Sequence, residues 1–210
     1  MPKISPIASD IAFTPAVKAI QARRGSRRAY ARMEDGPGWN TTITPELAGF
    51  IARQTSVFLG TASAAGQPYI QHRGGPPGFL HVRDERTLAF AEYRGNRQFI
   101  TQGNLAENPM AHLFLIDYGS RQRVKLWGEA RVIEDDPALL ADLLPQGARP
   151  RGEQALVFRV LAWDANCPQH IPQRFEAADV ARLLEERERR IAELEAEIAR
   201  RSEAGGPSVR

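Results

Sequence analysis

Basic and amide side chains gather in three short clusters between residues 69 and 125, each beside a turn or loop. The first is Tyr69-Ile70-Gln71-His72-Arg73, which runs straight into Gly74-Gly75-Pro76-Pro77-Gly78. The second is Glu92-Tyr93-Arg94-Gly95-Asn96-Arg97-Gln98, and the third is Arg121-Gln122-Arg123-Val124-Lys125. Arginine offers a planar fork of donors that matches an oxyanion, and glycine lets backbone come close to a ligand. Three such clusters on neighbouring strands point to one anionic ligand. Because alternate residues of a strand share a face, Tyr69, Gln71 and Arg73 point one way and Ile70 and His72 the other. The same count sets Arg121, Arg123 and Lys125 opposite Gln122, Val124 and Leu126. An ordinary solvated face of an antiparallel sheet gives the same pattern; the Gly/Pro loop and the cations of 94–98 are what favour a groove. Asn96-Arg97-Gln98 are expected at a helix start, where free N–H groups and the positive dipole end suit a phosphate. Their spacing matches neither a Walker loop nor a dinucleotide fingerprint.

The elements that must hold these clusters follow from periodicity and punctuation. Residues 11–31 suggest a short helix broken at Gly25, and Thr44-Pro45-Glu46 opens a capped helix that runs to about Arg53. From there the period changes to two. Strands are expected over 56–62, 69–73, 79–82, 87–91, 110–116, 123–133 and 155–163, with a crossing helix over 95–105 that ends before Asn108-Pro109 and another from Asp136-Pro137 to about Leu144. This reads as a mainly β (β+α) chain, a small barrel of six to seven antiparallel strands with flanking helices. The expected divisions are an N-terminal helical arm over 1–43, a barrel domain over 44–175, a C-terminal helix over 176–203 and a disordered tail over 204–210. In the helix, Val180, Leu184, Ile191, Leu194 and Ile198 fall at heptad spacing, with Arg187 in one seam position. It is either a partner-packing helix across a dimer or a solvated terminal helix.

Composition narrows the class. Of 210 residues, 42% are hydrophobic and 25% charged, the balance of a soluble globular protein, and no apolar run is long enough to span a bilayer. The isoelectric point near 9.3 rests on a net charge of only +3, which a local anion site explains without nucleic acid. Cys167 is the only cysteine, so no intrachain disulfide forms, and a cytoplasmic location is expected. Cys167 and His170 are too few ligands for a closed zinc site, and no metal is expected.

The order Thr61-Ala62, Gly66-Gln67-Pro68, Gln71-His72-Arg73, Gly95-Asn96-Arg97-Gln98, Leu105-Ala106-Glu107-Asn108-Pro109 and Arg123-Val124-Lys125-Leu126-Trp127-Gly128-Glu129-Ala130 resembles the pyridoxamine 5'-phosphate oxidase-like family of FMN-binding split barrels. The resemblance implies a split β-barrel, a homodimer and two FMN molecules in clefts between subunits. It implies phosphate contacts from Arg73, Asn96, Arg97 and Gln98, and flavin-ring contacts from Gln71, His72 and Tyr93. Arg123 and Lys125 are expected on the partner-facing part of the same cleft. A second run, Asn166-Cys167-Pro168-Gln169, resembles the closing segment of a subgroup in which it lies by the flavin. This adds Gln169 as a cofactor contact and makes Cys167 and His170 the catalytic candidates, Cys167 being either a reactive thiol or a buried inert one. The Arg-x-His segment by which true pyridoxamine phosphate oxidases read their substrate has no counterpart after Trp163, so vitamin B6 synthesis is not implied. The function expected is an FMN-dependent oxidoreductase acting on a small molecule, with NAD(P)H as a candidate reductant. The alternative is a non-enzymatic protein that stores or senses flavin or haem. An oligonucleotide-binding barrel needs exposed aromatics interleaved with cations and finds only Tyr69 and Tyr93, so no nucleic-acid partner is expected.

Overall fold

The computed structural model describes residues 7–36, 38–144, 152–166 and 168–204. They belong to two compact units, Met1–Asp117 with Gln122–Gln169, and Tyr118–Arg121 with His170–Arg210.

The larger unit is built on seven antiparallel strands: β1 (Ser56–Ala62), β2 (Pro68–Gly74), β3 (His81–Asp84), β4 (Thr87–Tyr93), β5 (Met110–Asp117), β6 (Gln122–Ile133) and β7 (Gly152–Asn166). They form one sheet in the order β2-β1-β5-β6-β7-β4-β3. With helices packed around it this is the mainly β split-barrel class that the sequence suggests. Strict alternation explains the sheet: Val57 and Leu59, Leu113 and Leu115, Val124 and Leu126, and Leu156, Phe158 and Val160 are all buried in one cluster. Each such side chain contributes roughly 1.5–3 kcal/mol of burial. Strand β4 is buried on both faces, because Leu88 and Phe90 join that cluster while Ala89 and Ala91 meet a second one with Leu143. Gly128 marks a register shift against β7; a Cβ there would lie 2.1 Å from the carbonyl oxygen of Arg159.

Five α-helices decorate this unit: α1 (Pro15–Arg24), α2 (Arg27–Glu34), α3 (Pro45–Ala52), α4 (Ile100–Glu107) and α5 (Pro137–Leu143). Three of them start as their sequences dictate, with Thr14, Thr44 and Asp136 accepting from the N–H three residues on, ahead of a proline at the first position. Gly25 ends α1 in the left-handed conformation. Helix α4 starts later than its sequence suggests. Phe99 adopts a left-handed backbone (φ 54°) at its N-cap and Arg97 does so two residues earlier (φ 58°), which keeps 94–99 out of the helix. The N-terminal arm is tied onto β7: the N–H of Trp163 donates to Asn40 O (2.9 Å) and its indole Nε1 to Thr42 O (2.7 Å). Trp39 stacks on Trp127 of β6 at 4.6 Å between ring centres.

In the smaller unit, Arg174 lies with its guanidinium 4.7 Å from the Tyr118 ring centre, and Gln173 Nε2 donates to Gly119 O (3.0 Å). Its main element is α6 (Ala177–Ala204), 28 residues long. The expected tail over 204–210 falls, apart from Ala204, outside the described residues. No helix among the described residues is long and apolar enough to cross a membrane.

Candidate functional site

The curl of the sheet brings β2, at one end of the strand order, up to β4 near the other. Arg73 Nε and Nη2 both donate to Glu92 Oε1 (2.8 and 2.6 Å), and Gln154 Nε2 of β7 donates to Glu92 Oε2 (2.7 Å). Arg73 Nη1 reaches the His72 carbonyl oxygen (3.2 Å). Glu92 is 7% exposed, so its charge is held in the wall by a cation and an amide together. The link between β2 and β4 is made by side chains.

Above this link opens a cleft of about 310 Å³. Gln71 and Arg73 of β2, Glu92 and Tyr93 of β4, the 94–99 loop and the first turn of α4 line it. Gln71 is fixed as an acceptor by the Thr101 hydroxyl (3.0 Å). Asn96 Oδ1 accepts from the Gln98 N–H (3.3 Å), an Asx turn that shapes the loop. Arg94 stands 3.6 Å from Glu153. Arg97 has no carboxylate partner among the described residues; its guanidinium lies over the Phe99 ring at 5.6 Å. Phe99 and Tyr93 are 51% and 43% exposed at the rim, so flat apolar surface sits beside the cations.

The structure therefore brings Gln71, His72, Arg73, Tyr93, Asn96, Arg97 and Gln98 to one cleft from three separate elements. The outward row of β2 is as its alternation requires, with Ile70 70% exposed, and His72 Nε2 is 2.7 Å from Ser56 Oγ. Asn96, Arg97 and Gln98 stand in the loop ahead of α4 rather than at its first turn, for the backbone reason given above. The Gly/Pro loop contributes less to the cleft than its composition suggests. Gly74 lines it, whereas Gly75 leaves room for Phe79, whose Cβ would be 2.6 Å from an added methyl.

Arg123 and Lys125 do not line this cleft; they occupy the outward face of β6, opposite the buried Val124 and Leu126. Lys125 Nζ is 3.1 Å from Asp164 Oδ2 and lies over the rings of Trp127 and Trp39 at 5.3 and 5.9 Å. Arg123 Nε is buried with no hydrogen-bond partner among the described residues. Arg121 falls in the turn before β6 with a left-handed backbone (φ 55°), so it is not on the strand face with Arg123 and Lys125. Gln169 and His170 are exposed and outside the cleft, and Cys167 lies outside the described residues. Among the described residues no group of three or more His, Cys, Asp or Glu is placed to hold a metal.

One pairing within the cleft wall, and the setting of one histidine outside the cleft, depend on contacts that the sequence does not show. Glu92 was visible as a member of the second cluster, but its partner Arg73 is 19 residues away and no local signal joins them. His112, on the same outward face as Lys125, meets the Trp127 ring edge-on at 5.0 Å. Burial, helped by the positive charge of Lys125, holds its imidazole down at about 4.

The pyridoxamine 5'-phosphate oxidase family model matches residues 43–167. No curated protein matches the chain in sequence. Among solved structures it is similar to HupZ of Group A Streptococcus, at 20% identity and TM-score 0.47 over 63% of this chain and 99% of that one. It is also similar to an FMN-binding protein of Syntrophomonas wolfei, at 12% identity and TM-score 0.42 over 70% and 97% of the two chains. The heme storage protein HutZ of Vibrio cholerae matches at 16% identity and TM-score 0.38 over 56% and 89%. At these scores no ligand is transferred from any of the three.

Proposed function

The chain belongs to the pyridoxamine 5'-phosphate oxidase family, and from that membership we propose that it binds FMN in the cleft between β2, β4 and the 94–99 loop and acts as an oxidoreductase on a small molecule. The observation that carries the reading is Arg97, a cleft cation without a carboxylate partner among the described residues, standing beside amides and exposed aromatic surface.

The donor set fits the group. A phosphate needs a cation and several fixed N–H donors, which Arg97, Arg94, the Asn96 and Gln98 amides and the backbone of the loop provide. A flat ring needs an apolar face with polar groups at its edge, which Tyr93, Phe99 and Gln71 provide. When bound, FMN supplies the electron and hydride transfer. This chain's own residues bind and orient. Arg97 and Arg94 neutralise the phosphate, Thr101 holds the Gln71 amide so that its nitrogen is free to donate, and Arg73 and Glu92 fix the cleft wall. A positive side chain held near the ring's pyrimidine end favours the reduced, more negative cofactor.

We take the working unit to be a homodimer, with Arg123 of the partner subunit completing each cleft, while Lys125 stays with Asp164 and the two indoles. The buried Arg123 Nε, without a hydrogen-bond partner among the described residues, and the 70% exposure of Ile70 support this. Gln169, Cys167 and His170 remain candidates for the substrate side of that shared cleft, and NAD(P)H for the reductant.

The test is the absorbance spectrum of the purified protein, with mass identification of whatever is released on denaturation. A flavin spectrum that is regained on adding FMN, and bleached by NAD(P)H with turnover, supports the oxidoreductase. Flavin without turnover, or a Soret band from haem, leaves the non-enzymatic carrier. A colourless chain that takes up no FMN overturns the reading.

A further inference from the structure

In α6, Leu184, Ile191 and Ile198 fall at the a positions of a heptad and Val180 and Leu194 at the d positions. All five are well exposed, from 41% for Val180 and Leu194 to 63% for Ile198, and Leu183 at a g position widens the stripe at 55%. A helix of this length spans about 42 Å. Ion pairs within it, Arg182 with Asp179 and Arg190 with Glu193, are exposed and add little to its stability. Helices in proteins draw most of their stability from a packed apolar face, and this one is bare.

We propose that this face is a docking surface for a second copy of the same helix, in a parallel two-stranded coiled coil. The flanking charges select the occupant and its direction. In a parallel pair the g side chain of one helix meets the e side chain five positions on in the other, which sets Arg190 against Glu195 of the partner subunit, twice by symmetry. An antiparallel pair gains Arg190 opposite Glu197 of the partner subunit, but it also sets Glu188 against Glu195 of the partner subunit, a like-charge contact made twice. β-Branched Ile191 and Ile198 at a, with Leu194 at d, is the combination that favours two parallel strands. Arg187 occupies a d position. Its long side chain reaches out of the seam to Glu188 of the partner subunit, and one polar layer of this kind costs stability while fixing the register. This pairing is an interface additional to any made by the barrel, and it does not rest on the flavin reading.

Cross-linking of the full-length chain tests it. In a Cys167→Ser background, Leu194→Cys places the thiols of a parallel pair in register and within disulfide reach. Mild oxidation should give a covalent dimer at least about tenfold more efficiently than Glu193→Cys, whose side chain faces solvent. Equal yields from the two variants, or none from either, would overturn the proposal. So would cross-linking that appears only when Ile191→Cys and Leu194→Cys chains are mixed, the signature of an antiparallel pair. FMN uptake by the same variants reads out the cleft separately, so failure of one inference is not mistaken for failure of the other.

Discussion

Two basic segments look alike in sequence and end differently. Residues 92–98 and 121–125 each carry cations close together, and each puts one over an aromatic ring. Lys125 is committed: Asp164 lies at 3.1 Å and two indoles pack against it. Arg97 lies over the exposed Phe99 ring and has no carboxylate partner among the described residues. What marks an anion site is therefore a cation that the fold leaves unspent, and counting basic residues does not find it. Arg73 teaches the same from the other side. It sits in the cleft, yet Glu92 takes its fork.

The largest effect expected from breaking this contrast is at the spent cation. Glu92→Ala strips Arg73 and Gln154 of their shared acceptor in a buried wall, and unfolding stability should fall by about 3 kcal/mol in urea titrations. A loss below about 1 kcal/mol would mean that Arg73 is free to serve a ligand after all. Next comes the surroundings of Lys125. His112 titrates near 4 when folded against 6.5 ordinarily, so between these values the unfolded chain binds the extra proton. Stability should be full above about pH 6.5 and decline as pH falls toward 4, by roughly 2 kcal/mol once solvent screening of the partly exposed ring is discounted from the full shift, a slope that His112→Phe removes. Arg97→Ala should weaken FMN binding about tenfold in fluorescence titrations, near 1.4 kcal/mol, while thermal unfolding of the apoprotein barely moves. The smallest effect is that of Lys125→Met, which loses a partly buried pair and costs about 0.5 kcal/mol of stability. If Lys125→Met instead lowers FMN affinity as much as Arg97→Ala does, the two segments serve one shared cleft and the contrast dissolves in favour of the dimer.

Much of the fold was legible because its signals are local. Ser56–Ala62 reads as a strand and is one, since Val57, Leu59 and Thr61 turn inward at every second step. Thr44 with Pro45 opens a helix where it should. Most cleft residues were legible as two clusters beside turns, 69–73 and 92–98; the third, 121–125, lies off the cleft. What was hidden is what depends on distant partners or on rare backbone. Nothing around Phe99 announces a left-handed residue that postpones α4 to Ile100. β7 runs on to Asn166 beyond its apolar stretch because β6 pairs with it through Arg123↔Asn166. The stacking of Trp39 on Trp127 joins positions 88 residues apart, and only the folded sheet makes them neighbours.

Among the described residues β2 pairs through its backbone only with β1, so the sheet has a seam between β2 and the β4 side, and Arg73 on Glu92 clasps it there. Turning those two side chains aside parts the wall without disturbing a rung of the ladder.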